Sequence, residues 1–353
     1  MNIANAIQPG TKEQLGEALL DLARARKTIR LGGNFTKDRI GGPVRDAKAT
    51  LSMAGIRRLL KYEPRDLTIS VESGMAWNEL ERTLAEHGQM LPLDPAWGGA
   101  TVGGVIAANQ SGPLRRLYGT ARDMVIGMTF VTLDGQEIRT GGNVVKNVAG
   151  LDMGKLLIGS FGTLAAITSV NFKVSPMPPA SRTFVLEFAT LAEAFAERDR
   201  ILRGQMPPAA IDLVNWGASQ TGALRLLVRA MGTAAVAERF TREFPNARAL
   251  DGDEETAVWR EVRDFTPQFL EENPHSRMLT TACSLVDMRA VAEKLAVANV
   301  PFIARAGSGA VYAHYAANAP LVTVRDDAEM MKKVKHMFDP EDLLNRGRLY
   351  GYI

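Results

Sequence analysis

The chain is poor in cysteine and in histidine. One cysteine, Cys283, stands among 353 residues. That excludes a disulfide framework within the chain and an iron–sulfur cluster held by its own cysteines, and it points to a reducing compartment. The four histidines, His87, His275, His314 and His336, are scattered, whereas divalent metal capture needs several ligands that converge. No hydrophobic run approaches the roughly 18 residues of a membrane span. The opening MNIANAIQPG lacks the basic region and apolar core of a signal peptide. Neither sign of charge dominates: Lys and Arg number 42 against 39 Asp and Glu, and no basic block marks a nucleic-acid face. The expectation is a soluble cytoplasmic chain, or one attached to a membrane only through a partner.

Two common nucleotide devices are also missing. No G-x-G-x-x-G follows a first strand. The stretch Gly150-Leu-Asp-Met-Gly154-Lys155-Leu156 is one residue short of a P-loop and ends in Leu.

Glycine, by contrast, is concentrated. Residues 91–119 read LPLDPAWGGATVGGVIAANQSGPLRRLYG, with nine Gly or Pro. Such density leaves room for a helix only over 101–109, where Thr101 is the cap and Val102, Val105 and Ile106 form the apolar stripe. The start of that helix is expected to offer free N–H groups and partial positive charge, and the adjoining glycines let a ligand approach the backbone. This is the physics of a phosphate or pyrophosphate site. A strand over 28–31 runs into Gly32-Gly33-Asn34-Phe35-Thr36, a second close-approach point, and Gly159 and Gly162 punctuate a third.

The remaining pattern predicts a helix over 11–25 with Thr11 as cap and Gln14 at the capping-box position. Strands are expected over 49–53, 56–62 and 67–72, a helix over 76–86, and a strand over 123–133 that turns at Asp134-Gly135. A buried strand follows over 164–174. Ser175-Pro-Met-Pro-Pro179 reads as a stiff linker and domain boundary. Beyond it, strands over 183–188, 210–216, 224–230, 278–283, 302–306 and 310–315 alternate with helices over 191–202, 234–244 and 286–298. This suggests ferredoxin-like α+β units. A last helix is read over 328–337.

Taken in order, Gly32-Gly33-Asn34, Pro92 through Thr101-Val-Gly-Gly104, Gly119 with Asp123, and Gly159-Ser-Phe-Gly-Thr-Leu164 resemble the FAD-binding PCMH (vanillyl-alcohol-oxidase-like) family. The ending Asp339-Pro-Glu-Asp-Leu-Leu-Asn345-Arg-Gly347 is similar to the family's closing D-P-x-x-x-x-N-x-G. More narrowly, Gly88-Gln-Met-Leu-Pro92, Ala107-Ala-Asn-Gln-Ser-Gly-Pro113 and Val145-Lys-Asn-Val-Ala-Gly-Leu-Asp152 resemble the FAD-binding (GlcE-type) subunits of glycolate oxidase.

The resemblance implies an α+β fold: a PCMH-type FAD-binding domain over 1–176, made of α+β subdomains at about 1–90 and 91–176 that clamp FAD. A ferredoxin-like α+β cap domain over 180–325 follows, and a tail over 326–353 returns to the FAD domain. It implies cofactor contacts at Gly32, Gly33, Asn34, Phe35, Thr36, Pro95, Thr101, Val102, Gly103, Gly104, Ala107, Asn109, Ser111, Gly112, Gly119, Asp123, Gly162, Leu164 and Ile167, with Lys146 and Asn147 on the flavin side. Some members carry a His in the first glycine loop that bonds the flavin. Asn34 stands there in this chain, so noncovalent FAD is expected.

The cap departs from the family. Related hydroxyacid dehydrogenases hold a metal at His-Ala-Gly-Asp-Gly-Asn-Leu-His; this chain has Arg305-Ala-Gly-Ser-Gly-Ala-Val-Tyr312. No metal is expected. Arg305, as a direct carboxylate clamp, and Tyr312, as a donor to a substrate oxygen, are the only catalytic candidates in the cap.

The resemblance implies an FAD subunit of a complex that oxidises glycolate or another small 2-hydroxyacid. Its partners would be a paralogous flavin catalytic subunit and an iron–sulfur subunit, the whole being cytoplasmic or held at the inner membrane through those partners. A stand-alone FAD oxidoreductase on a hydroxyacid or sugar-type substrate, and a non-catalytic flavin-domain scaffold, are the rival readings.

Overall fold

The computed structural model describes residues 5–142, 153–216, 224–317, 328–351 and 353. The chain divides into two compact units. The first holds the described residues up to 110, those of 120–176, and the tail from 328. The second holds 111–119 and the described residues of 177–317.

In the first unit, α1 (Lys12–Arg24) forms where Leu15, Leu19 and Leu22 recur on one face. Thr11 caps it, its hydroxyl accepting from Gln14 N at 3.3 Å. Gln14 returns its side-chain oxygen to Gly10 N at 2.8 Å, one residue before the cap. The leucine face packs on β1 (Ile29–Gly32) and β2 (Ala49–Ser52), two parallel strands, through Ile29, Leu31 and Leu51.

Strands β3 (Leu59–Glu63) and β4 (Thr68–Glu72) are followed by α2 (Trp77–Ala85), β5 (Gln89–Met90) and α3 (Val102–Ala107). Next come β6 (Val125–Val131), β7 (Glu137–Gly141), β8 (Ala166–Lys173) and β9 (Ser175–Pro176). An antiparallel sheet has the order β3-β4-β8-β6-β7, and β5 pairs with β9. Because β4 pairs with β8, this sheet crosses the subdomain boundary drawn near residue 90. The strand expected from residue 123 begins at Val125. The residues before it form a short helix, Ala121–Met124, closed by a capping box in which the Asp123 carboxylate accepts from Thr120 N at 2.8 Å.

The tail folds back within this unit. The helix Ala328–Phe338 leads to Asp339, whose carboxylate accepts from Leu343 N at 2.9 Å and Leu344 N at 2.7 Å and pairs with buried Lys335. Asn345, fully buried, takes Leu31 N at 2.8 Å and gives its amide to Leu31 O at 2.9 Å and Phe161 O at 2.7 Å. The D-P-x-x-x-x-N spacing is thus a brace: Asp339 forms the turn and Asn345 ties β1 to the loop around Gly162.

The second unit is built on an antiparallel sheet. Its elements are β10 (Ala180–Phe188), α4 (Leu191–Arg203), β11 (Ala210–Asn215), β12 (Leu224–Gly232), α5 (Ala234–Glu243) and β13 (Arg248–Leu250). They continue through α6 (Gly252–Glu272), β14 (Arg277–Ala282), α7 (Met288–Val297), β15 (Phe302–Arg305) and β16 (Ala310–Tyr315). The strand order is β13-β10-β12-β11-β15-β16-β14. The first four strands with α4 and α5 make one βαββαβ ferredoxin-like unit, and the last three extend its sheet. Helix α6 docks through Val258, Trp259 and Val262. Buried Glu255 on the same helix accepts from Ser181 Oγ at 2.7 Å, Thr183 Oγ1 at 2.8 Å and Arg229 Nε at 3.0 Å.

Candidate functional site

The first unit contains a groove. Its floor begins where β1 leaves the sheet into Gly32-Gly33. The loop 33–37 is fastened on two sides: Ser52 Oγ donates to Gly33 O at 3.1 Å, and Asn34 Nδ2 donates to Gly99 O at 2.9 Å. A Cβ on Gly33 would lie 2.1 Å from Thr101 Oγ1, so only glycine lets this loop rest against the start of α3. Gly103 is needed for a similar reason, since a Cβ there would lie 2.8 Å from Ser73 Cβ.

That close packing corrects one expectation. The start of α3 does not offer free N–H groups to a ligand. Val102 N donates to Met75 O at 2.9 Å, Gly103 N to Ser73 O at 2.7 Å and Gly104 N to Thr101 Oγ1 at 3.3 Å. The orphan donors of a helix start are consumed by the 73–75 turn and the threonine cap. The unused donors lie in the neighbouring loop. Among the described residues, the backbone N–H groups of Asn34, Phe35, Thr36 and Lys37 meet no acceptor, and Phe35 has the left-handed φ of 54°. Successive N–H groups around such a turn form a concave anion-binding nest.

Of the residues expected at the cofactor, Gly32, Gly33, Asn34, Phe35, Thr36, Thr101, Gly103, Gly104, Ala107, Gly162 and Ile167 line this groove together. Pro95, Val102 and Leu164 are buried away from its lining, Val102 on the core face of α3. Asn109, at a left-handed φ of 46°, follows the end of α3. Asp123 caps its own short helix. Ser111, Gly112 and Gly119 belong to the second unit, where Ser111 Oγ accepts from Arg115 and Gly119 ends the helix Arg115–Tyr118. Lys146 and Asn147 lie outside the described residues.

Sequence reasoning missed other groove residues, notably Lys37, Asp38, Ser73, Phe161 and Arg348. Among the described residues, buried Ser73 Oγ has no hydrogen-bond partner, and it is a polar group that a ligand in the groove can satisfy. Asp38 is held between Arg30 and Arg348, the latter at 3.2 Å. Lys37 is buried at 8% exposure, and that burial lowers its ammonium to about 7. Arg348 follows the tail motif directly and donates to Ile40 O at 3.0 Å and Gly42 O at 2.7 Å. That adjacency was its only sequence signal.

In the second unit, Arg305 on β15 forms a buried ion pair with Asp212 on β11 and sits 5.2 Å from the Tyr312 ring centroid. Tyr312 donates its hydroxyl to Ser111 O at 3.1 Å. Both catalytic candidates therefore already have protein partners. Among the described residues, no three of His, Cys, Asp and Glu gather as a metal site, and no helix is long and apolar enough to cross a membrane.

A groove with a backbone anion nest, an orphaned hydroxyl and glycines at the points of closest approach fits a dinucleotide. Residues 3–141 match the family described as FAD binding domain. Those residues take in the loop 33–37 and α3, which line the groove. It is 36% identical over 201 residues to glycolate oxidase subunit GlcE of Escherichia coli (strain K12), covering 56% of this chain and 55% of that protein. It is 33% identical over 204 residues to the mitochondrial D-lactate dehydrogenase [cytochrome] of Arabidopsis thaliana, covering 55% and 35%. The chain thus spans about half or less of the length of these relatives. The fold is also that of 4-ethylphenol oxidase from Gulosibacter chungangensis, with a TM-score of 0.74 at 13% identity over 98% of this chain and 88% of that one.

Proposed function

We propose that this chain is an FAD-dependent oxidoreductase subunit of the glycolate oxidase and D-lactate dehydrogenase type. It acts in a complex that oxidises a small 2-hydroxyacid, beside a paralogous flavin subunit and an iron–sulfur subunit. The observation that carries this reading is the contrast between the two units. The groove of the first keeps unused donors, whereas Arg305 and Tyr312 of the second are engaged by Asp212 and Ser111.

FAD, when bound, supplies a two-electron acceptor. The loop 34–37 would hold the pyrophosphate through its N–H groups, and Gly33 and Gly103 keep the walls thin enough for backbone approach. Asn345 and Asp339 hold the groove's shape from behind, so cofactor and loop meet in one geometry. Asn34 has no nucleophilic atom for a flavin bond, which supports noncovalent FAD. The buried Asp212 carboxylate pairs with Arg305 and offsets its charge toward a substrate carboxylate, so substrate chemistry is assigned chiefly to the partner subunit.

The test is an anaerobic flavin spectrum of the isolated chain before and after glycolate or D-lactate. The expected result is a yellow protein that bleaches only when the partner subunits are supplied. Bleaching of the isolated chain would make it a self-sufficient hydroxyacid oxidoreductase. A chain that stays colourless after addition of FAD would leave a scaffold.

A further inference from the structure

Lys37 ends the loop 33–37 that lines the groove, and among the described residues its ammonium has no anionic partner. Its single side-chain hydrogen bond among the described residues is a long one, 3.4 Å to Thr36 Oγ1, and it lies 5.9 Å from the Trp97 ring centroid. The charged groups facing it are few. Asp38 is shared by Arg30 on β1 and Arg348 from the tail. Among the described residues, the other walls, formed by Met53, Ser73, α3 and residues 161–167, bring no titratable side chain. Counting Arg30, Asp38 and Arg348 alone, the groove carries one net positive charge, and a protonated Lys37 makes it two. A pyrophosphate ester carries two negative charges at neutral pH. Near neutrality, burial leaves Lys37 only partly protonated in the free protein.

We propose that Lys37 is the charge-compensating residue for the pyrophosphate of FAD, and that it takes up a proton as the dinucleotide binds. The proposal rests on the FAD reading above. It has a definite pH signature. The free protein loses the Lys37 proton as pH rises through about 7, while the anion in the complex holds that proton to higher pH. Below pH 7 the residue is charged in both states and affinity is flat. Above it, each binding event draws in up to one proton, and affinity falls by up to about tenfold per pH unit until the complex also deprotonates.

The experiment is calorimetric titration of FAD into the flavin-stripped full chain from pH 6.5 to 9. Buffers of differing ionisation enthalpy report proton uptake, and the titration is repeated with Lys37→Met and Lys37→Arg. The wild type is expected to take up most of one proton at pH 8. Lys37→Met should bind roughly 10- to 100-fold more weakly at pH 7, the loss expected for a charged hydrogen bond, with no uptake and a flat pH profile. Lys37→Arg, charged throughout, should keep most of the affinity without uptake. Thermal melts of the stripped variants should show Lys37→Met no less stable than wild type, since the substitution removes a buried amine. Equal affinity and equal uptake in Lys37→Met would overturn the proposal while leaving FAD binding intact. A wild-type chain that binds no FAD would overturn the cofactor reading itself, and this proposal with it.

Discussion

Single residues set the tolerances of the groove. Gly33 is the tightest, because Thr101 contributes Oγ1, Cγ2 and Cβ all within 2.9 Å of where a Cβ would sit. Gly33→Ala is expected to push the loop off α3. The cost is about 1–3 kcal/mol of stability, as for other overpacked sites, together with loss of retained flavin. Urea unfolding and the absorbance ratio of purified protein measure the two effects; a yellow variant of unchanged stability would show that the loop yields without cost. The glycines themselves were plain in the sequence. The direction of their effect was not: Gly103 brings α3 against Ser73 and so consumes the N–H groups that sequence alone offered to a ligand. A hydrogen-bond partner 30 residues distant leaves no trace in local spacing.

At the level of elements, amphipathic segments with clear punctuation were legible. Helix α1, the β6–β7 turn at Asp134-Gly135 and α3 with its Thr101 cap lie where periodicity and capping place them. The 21-residue α6 was not. Its first turn carries Asp253, Glu254 and Glu255, and Pro267 stands inside it, and no helix is read there from the sequence. Burial of Trp259 and the bonds that Glu255 receives from β10 and β12 decide the matter. The tail motif was recognised by its spacing, but its work as a brace required the fold. Asn345→Ala strands Leu31 N, Leu31 O and Phe161 O together, and each buried unsatisfied group costs about 1–3 kcal/mol. The variant is expected to lose several-fold or more in FAD affinity and to melt markedly lower. Fluorescence titration and calorimetry report these losses, and wild-type values in both would reduce the motif to a coincidence of spacing.

Across the whole molecule the two units answer to different agents. FAD acts on the first: at 100 times its dissociation constant it adds about 2.7 kcal/mol to the state that binds it. Acid acts on the second. His314 is fully buried, accepts or donates at Thr266 Oγ1 at 2.8 Å, and lies edge-on to Phe265 and Phe269. Desolvation lowers its pKa from 6.5 to about 4. The unfolded chain therefore binds the proton first, so stability is full above pH 6.5 and is lost as pH falls toward 4, by roughly 3 kcal/mol at the limit. Hydrogen exchange by mass spectrometry should show peptides of 265–270 and 301–315 loosening between pH 7 and 5, while FAD protects peptides of 29–42. Acid-insensitive exchange around His314 would contradict the first expectation.

The brace also imposes a timetable. Leu31 and Asn345 are 314 positions apart in the chain, and a ribosome adding about 5–20 residues per second needs roughly 15–60 s to bring the second after the first. During that interval the glycine loop has been made but lacks its buckle, and the entire second unit is synthesised in between. Flavin capture is thus expected late in the life of each nascent chain. A truncated translation product ending before residue 345 should emerge colourless, however much FAD the cell contains.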